Sequence, residues 1–179
     1  MLVLWALGPA AARAEVADSA AGGFTVKIAT TIEAPAADVY RKLVRNVGEW
    51  WDPAHTFSGD AHNLSIEDKP MGCYCEKLPG QGGGVRHMEV IYFVPGKALR
   101  MTGAIGPMQG LAAAATMTFE LAAAEGGGTK VSVTYAVAGY LPGGMNTFAA
   151  PVDGVLTQQL TRLKNYVERG DPKAAAAAK

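Results

Sequence analysis

The sequence predicts an α+β domain in which seven antiparallel strands are covered by one long C-terminal helix, and three observations carry that expectation. Val152, Leu156, Leu160, Leu163 and Val167 recur at helical spacing and form one apolar stripe. Between residues 24 and 138, short alternating runs are divided by glycine and proline, the pattern of strands joined by hairpins. Burying the five stripe residues is worth roughly 1.5–3 kcal/mol each before entropy is counted, so the helix needs an apolar partner. The inner face of the sheet is that partner.

Taken in order, residues 1–14 read as a signal peptide. An apolar run from Leu2 to Leu7 precedes Ala12-Arg13-Ala14, a small-x-small signal for cleavage before Glu15, although no basic residue precedes the run. The expected location is periplasmic or secreted. Phe24, Val26, Ile28 and Ile32 alternate with polar neighbours as a half-buried strand. Ala34-Pro35 opens a helix that buries Val39, Leu43 and Val47, and Gly48 is expected to stop it. Trp50-Trp51 follows on a turn, one ring plugging the end of the sheet and the other open to a ligand or partner. Residues 54–62 read as a polar loop, with His55 and His62 in solvent.

Strands are expected at 63–67, 71–78, 85–94, 98–105, 113–123 and 129–138, with hairpin turns at 79–84, 95–96 and 125–128. Pro151 and Asp153 suit the start of the closing helix, and Arg169 and Gly170 suit its end. Gln158, Gln159, Arg162 and Lys164 should face water. The domain thus spans 24–170, and 171–179 reads as a disordered tail.

Sixteen basic and sixteen acidic residues cancel, and losing Arg13 with the leader would leave −1. Nucleic acid and anionic membrane surfaces are therefore poor partners. After the leader no run approaches the ~20 apolar residues of a membrane span. Phosphate-loop, dinucleotide, HExxH and nucleophile-elbow patterns are absent, so no cofactor and no metal are expected.

The sequence resembles the START-related, polyketide-cyclase-like SRPBCC superfamily. The resemblance covers about residues 24–170 and rests on IEAPAADVYRKLV, EWWDP, MGCYCEKLPGQGG with the following VPGKALRM turn, and PVDGVLTQQLTRLKNYVE. It implies the helix-grip fold, a curved sheet wrapped around the last helix with an apolar cavity between them. Members bind lipids, sterols or hormones, or cyclise polyketides, and one branch resembles activators of the Hsp90 ATPase.

Strand parity sets Met88, Tyr92, Met101, Met117, Phe119 and Tyr135 inward, facing Val152, Leu156 and Leu160. These residues are either ordinary core or the lining of a cavity for a small hydrophobic molecule. Methionines suit a deformable site, and small Gly103 and Ala115 leave volume unfilled. Trp51 and Phe148 complete the candidate set, Phe148 within a glycine-rich segment (139–150) that reads as a gate or as a loop pinned to the core. An enzymatic alternative, a cyclase or aromatase, would use Tyr92 or Tyr135 as proton donor; a third, an interaction module, would expose an apolar patch around Trp50 or Trp51. Cys73 and Cys75 share a face and read first as free buried thiols, next as a strained redox pair, and last as a metal site, which would need two more ligands. Glu76 and His87 fall opposite one another. They would form an acid/base dyad if inward, but parity sends them outward.

Overall fold

The computed structural model describes residues 13–174. The expected leader falls almost wholly outside them. Strand β1 (Arg13–Ala20) turns into β2 (Gly23–Ile32), and Pro35 then leads into helix α1 (Ala36–Arg45). The chain breaks at Asn46 and resumes as the single turn α2 (Val47–Trp50), so Gly48 lies inside a helical turn instead of stopping one. Strands β3 (Leu64–Ile66), β4 (Cys73–Leu78), β5 (Gly83–Val94) and β6 (Ala98–Gly103) follow. Strands β7 (Ala112–Ala123) and β8 (Thr129–Tyr140) precede the 21-residue helix α3 (Ala149–Arg169).

The sheet has eight strands in the order β1-β2-β8-β7-β6-β5-β4-β3, every pair antiparallel. The six expected strands after the first helix form a continuous meander, and β2 closes onto β8. The added strand is β1, which extends the edge beside β2. Helix α3 lies nearest β1 and β2, and its stripe faces the sheet: Leu163 is fully buried, with Leu156, Leu160, Val152 and Val167 nearly so. Gly170 ends it with φ +75°, its N–H on the Tyr166 carbonyl at 3.0 Å, a conformation that L-residues resist.

Two irregularities in β5 invert the expected parity. Met88 pairs with Tyr74 and Arg86 with Cys75, which leaves His87 as an extra residue; Val90 pairs with Met101 and Tyr92 with Arg100, which leaves Ile91 as another. An inserted residue turns the strand beyond it onto the other face. As a result His87 and Met88 are both buried, while Tyr92, expected inward, is 48% exposed with the Arg100 guanidinium over its ring. In β4, Tyr74 and Glu76 turn inward and the cysteines turn away.

Two polar residues expected in water are also inside. Gln159 and Arg162 are buried because the 50–56 turn folds over that side of α3. Residues 171–174, expected to be disordered, run back along the helix, where Asn165 Nδ2 donates to the Ala174 carbonyl at 2.9 Å. The remainder of that tail lies outside the described residues. No helix among the described residues is long and apolar enough to cross a membrane.

Candidate functional site

Most of the residues expected to line a cavity between sheet and helix lie buried in the core and do not border the open cavity. Met88, Met101, Met117, Phe119 and Tyr135 on the strands, with Leu156 and Leu160 on α3, all belong to the closed core. The space beside Gly103 is occupied by the His87–Met88 backbone, and Ala115 is buried in the same core. Open volume remains at one end of the interface, as a cavity of about 370 Å³. Its base is made by Trp51, Tyr74 and His87. One wall is the loop after β6, with Ile105 and Met108; the other is the start of α3, with Phe148, Val152 and Val155. Ala54, His55 and Phe57 stand at its edge, with Phe57 50% exposed. Of the expected set, then, the structure brings together Trp51, Phe148 and Val152.

Local sequence explains each wall. Asp52 caps the Pro53–His55 turn by accepting the Ala54 N–H at 3.0 Å. That turn lets Trp51 Nε1 donate to the His55 carbonyl at 3.0 Å, which fixes the indole against Tyr74 with ring centroids 5.9 Å apart. Trp50 takes the plugging role, buried with Nε1 on the Leu43 carbonyl. Both rings are therefore inside, and neither supplies the exposed patch that an interaction module would need. Gln159 holds the turn from the helix side: its Oε1 accepts the Asp52 N–H at 2.8 Å, and its Nε2 donates to His55 Nδ1 at 3.0 Å.

The 139–150 segment is pinned at its middle. Strand β8 runs on to Tyr140, Met145 is fully buried, and the Met145 N–H donates to the Ala21 carbonyl at 2.9 Å. Phe148, at the start of α3, borders the cavity.

The cavity is apolar except at its base and at the edge, where His55 and Thr56 stand. His87 Nε2 lies 3.0 Å from Glu76 Oε2, with 6% and 0% of the two side chains exposed. Oε2 also accepts the Phe57 N–H at 3.1 Å, and Oε1 accepts the Ser58 N–H. Burial opposes ionisation of Glu76, but these hydrogen bonds outweigh it and hold the carboxyl below its ordinary value. Burial is the larger influence on His87 and lowers its pKa against the opposing pull of Glu76. The pair is thus a carboxylate and a neutral imidazole, with the Nε2 proton donated to Glu76. Tyr74 lies tilted against the imidazole with ring centroids 5.0 Å apart, and burial raises its phenol pKa.

The two tyrosines considered as proton donors do not meet this space. Tyr92 is on the outer face, and the Tyr135 hydroxyl accepts the Ile105 N–H at 3.3 Å behind the cavity wall. Burial pushes the Tyr135 pKa up to about 12. Cys73 and Cys75 form a disulfide that spans Tyr74 on the face away from the cavity, with Cα atoms 5.3 Å apart. Free thiols are thereby replaced by a bond. Among the described residues no three His, Cys, Asp or Glu side chains gather as metal ligands.

A meandering antiparallel sheet closed by a C-terminal helix, with a cavity at one end of their interface, defines a helix-grip protein of the SRPBCC type. The chain belongs to the family described as "Polyketide cyclase / dehydrase and lipid transport", which matches residues 23–168. Among solved structures, protein MLL2253 from Mesorhizobium loti is 19% identical with a TM-score of 0.59, over 82% of this chain and 98% of that one. CalU16 from Micromonospora echinospora is 14% identical with a TM-score of 0.58, over 88% of each chain. A protein from Rhizobium leguminosarum is 23% identical with a TM-score of 0.57, over 88% of this chain and 98% of that one. At these identities the likeness is one of fold. No curated protein matches the chain.

Proposed function

We propose that the protein binds a small hydrophobic molecule in the cavity between the Trp51 turn, the loop after β6 and the start of α3, without covalent chemistry. The observation that carries this reading is the cavity itself. At about 370 Å³ it sits near the lower end of the roughly 300–1,000 Å³ range of ligand sites, so the ligand is compact. Aromatic and aliphatic side chains make most of its surface, and the family description includes lipid transport.

Mass spectrometry of the native protein from its own host, with uptake of the neutral probe N-phenyl-1-naphthylamine, tests the reading. A bound mass released by organic solvent, and probe uptake lost in Val155→Trp, are expected. Absence of both bound mass and uptake in the wild type overturns it.

A second reading, cyclase-type catalysis, is favoured by one observation: the buried Glu76–His87 pair at the base of the cavity has the geometry of a positioned base. His87, held by Glu76, and not Tyr92 or Tyr135, would carry it. The export reading rests on the leader pattern in 1–14, and the Cys73–Cys75 disulfide supports it, since such bonds persist in oxidising compartments.

A further inference from the structure

We infer that the ligand carries a neutral hydroxyl, phenolic or enolic, which donates its proton to Nδ1 of His87. This rests on the ligand-binding reading above and specifies the chemistry of the same site.

Three observations define the acceptor. Glu76 is fully enclosed, and its two oxygens already accept the Phe57 and Ser58 amides, so it is a carboxylate fixed in place before any ligand arrives. A carboxylate offers only acceptors, so the 3.0 Å contact to His87 Nε2 requires the proton to sit on that nitrogen. The other ring nitrogen of a neutral imidazole is then a lone-pair acceptor. Nδ1 has no hydrogen-bond partner among the described residues, although His87 borders the cavity and is 6% exposed. A lone pair that opens only onto an apolar cavity is poorly solvated, and a ligand hydroxyl would satisfy it. Rings surround this point: Tyr74 and Phe57 lie tilted against the imidazole with centroids 5.0 and 5.9 Å from it, a setting that suits a planar ligand.

Charge narrows the class further. No lysine or arginine borders the cavity, and a carboxylate stands directly behind the imidazole. An anionic headgroup would enter without a counter-charge and would face a lone pair, so fatty acids and aryl carboxylates are disfavoured. The tautomer imposed by Glu76 therefore selects hydroxyl donors over acids of the same shape.

Calorimetry at pH 7.5 with 2-naphthol, 2-methoxynaphthalene and 2-naphthoate tests this on wild type, His87→Phe and Glu76→Gln. In wild type, 2-naphthol should bind about ten-fold tighter than its methyl ether, the effect of one buried hydrogen bond, with naphthoate weakest. His87→Phe keeps a ring in the wall and should reduce the naphthol preference to within about two-fold while the ether still binds. Glu76→Gln frees the tautomer and should weaken naphthol selectively.

Equal binding of naphthol and its ether in wild type, or tighter binding of naphthoate, overturns the hydroxyl inference and leaves the cavity reading standing. Failure of all three ligands and of the neutral probe overturns both. Should His87→Phe not fold, loss of the naphthol preference in folded Glu76→Gln supports the inference, and its retention there overturns it.

Discussion

Arg162 Nε donates to the Trp50 carbonyl at 2.8 Å across 112 residues of sequence, and Nη2 of the same guanidinium reaches the Trp51 carbonyl at 3.2 Å. Nη1 completes the clamp at 3.5 Å from Asp52 Oδ2. One planar fork thus fixes the turn that carries Trp51 into the cavity wall. Lysine has neither the fork nor the number of donors. Arg162→Ala would strand two carbonyls in a buried site and should cost about 2–5 kcal/mol in urea unfolding. Arg162→Lys should recover only part of that loss, and probe uptake should fall in both variants because Trp51 is no longer held. Full rescue by lysine would show that charge, not geometry, fixes the turn.

The Glu76–His87 pair should contribute two stages to acid destabilisation of the protein. The folded pKa of His87 lies below the unfolded value of 6.5, so folding favours the neutral ring. Its contribution is complete above about 6.5 and declines as pH falls from there towards the folded pKa. The folded pKa of Glu76 lies below the unfolded value of 4.5, so its contribution is complete above that value and is lost as pH falls through the folded pKa. The groups facing the imidazole are Glu76 and Tyr74 from β4, with His55 at the cavity edge; Tyr74 does not titrate in this range. Unfolding free energies measured from pH 8 to pH 4 should fall more steeply in wild type than in His87→Phe, which should flatten the stage that begins near 6.5. An unchanged slope in that variant would place the titrating group elsewhere.

Much of this architecture was legible because it depends on periodicity. The stripe from Val152 to Val167, the hairpin glycines and the strand alternation each constrain a whole element, and six strands after α1 and a long closing helix follow from them. The site depends on local departures from period that no pattern announces. One inserted residue at His87 was enough to bring Glu76 and His87 inside and to turn the cysteines out, and another at Ile91 sent Tyr92 to the surface. The burial of Arg162 and Gln159 escapes the pattern for a different reason. Their burial comes from a turn more than a hundred residues away, and helical periodicity reports only the face towards the sheet. The capped Asp52-Pro53 turn and Gly103 were the two available signals, and both are ambiguous without coordinates.

The stripe itself makes the simplest prediction. Leu160 is 3% exposed and lies in the core beneath α3. Leu160→Asp would place a carboxylate among aliphatic and aromatic side chains without a partner, which costs several kcal/mol even after its pKa rises. That approaches the whole stability of a typical domain, about 5–15 kcal/mol. Circular dichroism should show loss of the cooperative thermal transition at neutral pH. A folded variant with normal melting would mean that α3 is not seated through this stripe.

Gly103 carries the most specific prediction, because it explains why the bulge at His87 is tolerated. It pairs with Met88 at the end of β6, with φ at +142°, a value that side-chain-bearing residues rarely adopt. A Cβ built there would lie 2.5 Å from the His87 carbonyl oxygen and 2.9 Å from the Met88 Cα, both backbone atoms that cannot rotate away. The absent side chain is thus the space into which the extra residue of β5 fits. Gly103→Ala must either push β5 off β6 or shift the bulge, at a cost above the roughly 1 kcal/mol of an ordinary glycine effect. Either shift moves the imidazole away from Glu76. Gly103→Ala should therefore lose the destabilisation stage near pH 6.5 and the preference for naphthol over its ether together, with its strand content retained. If the variant keeps both signatures, the His87 bulge does not depend on the space at Gly103, and another constraint holds the imidazole against Glu76.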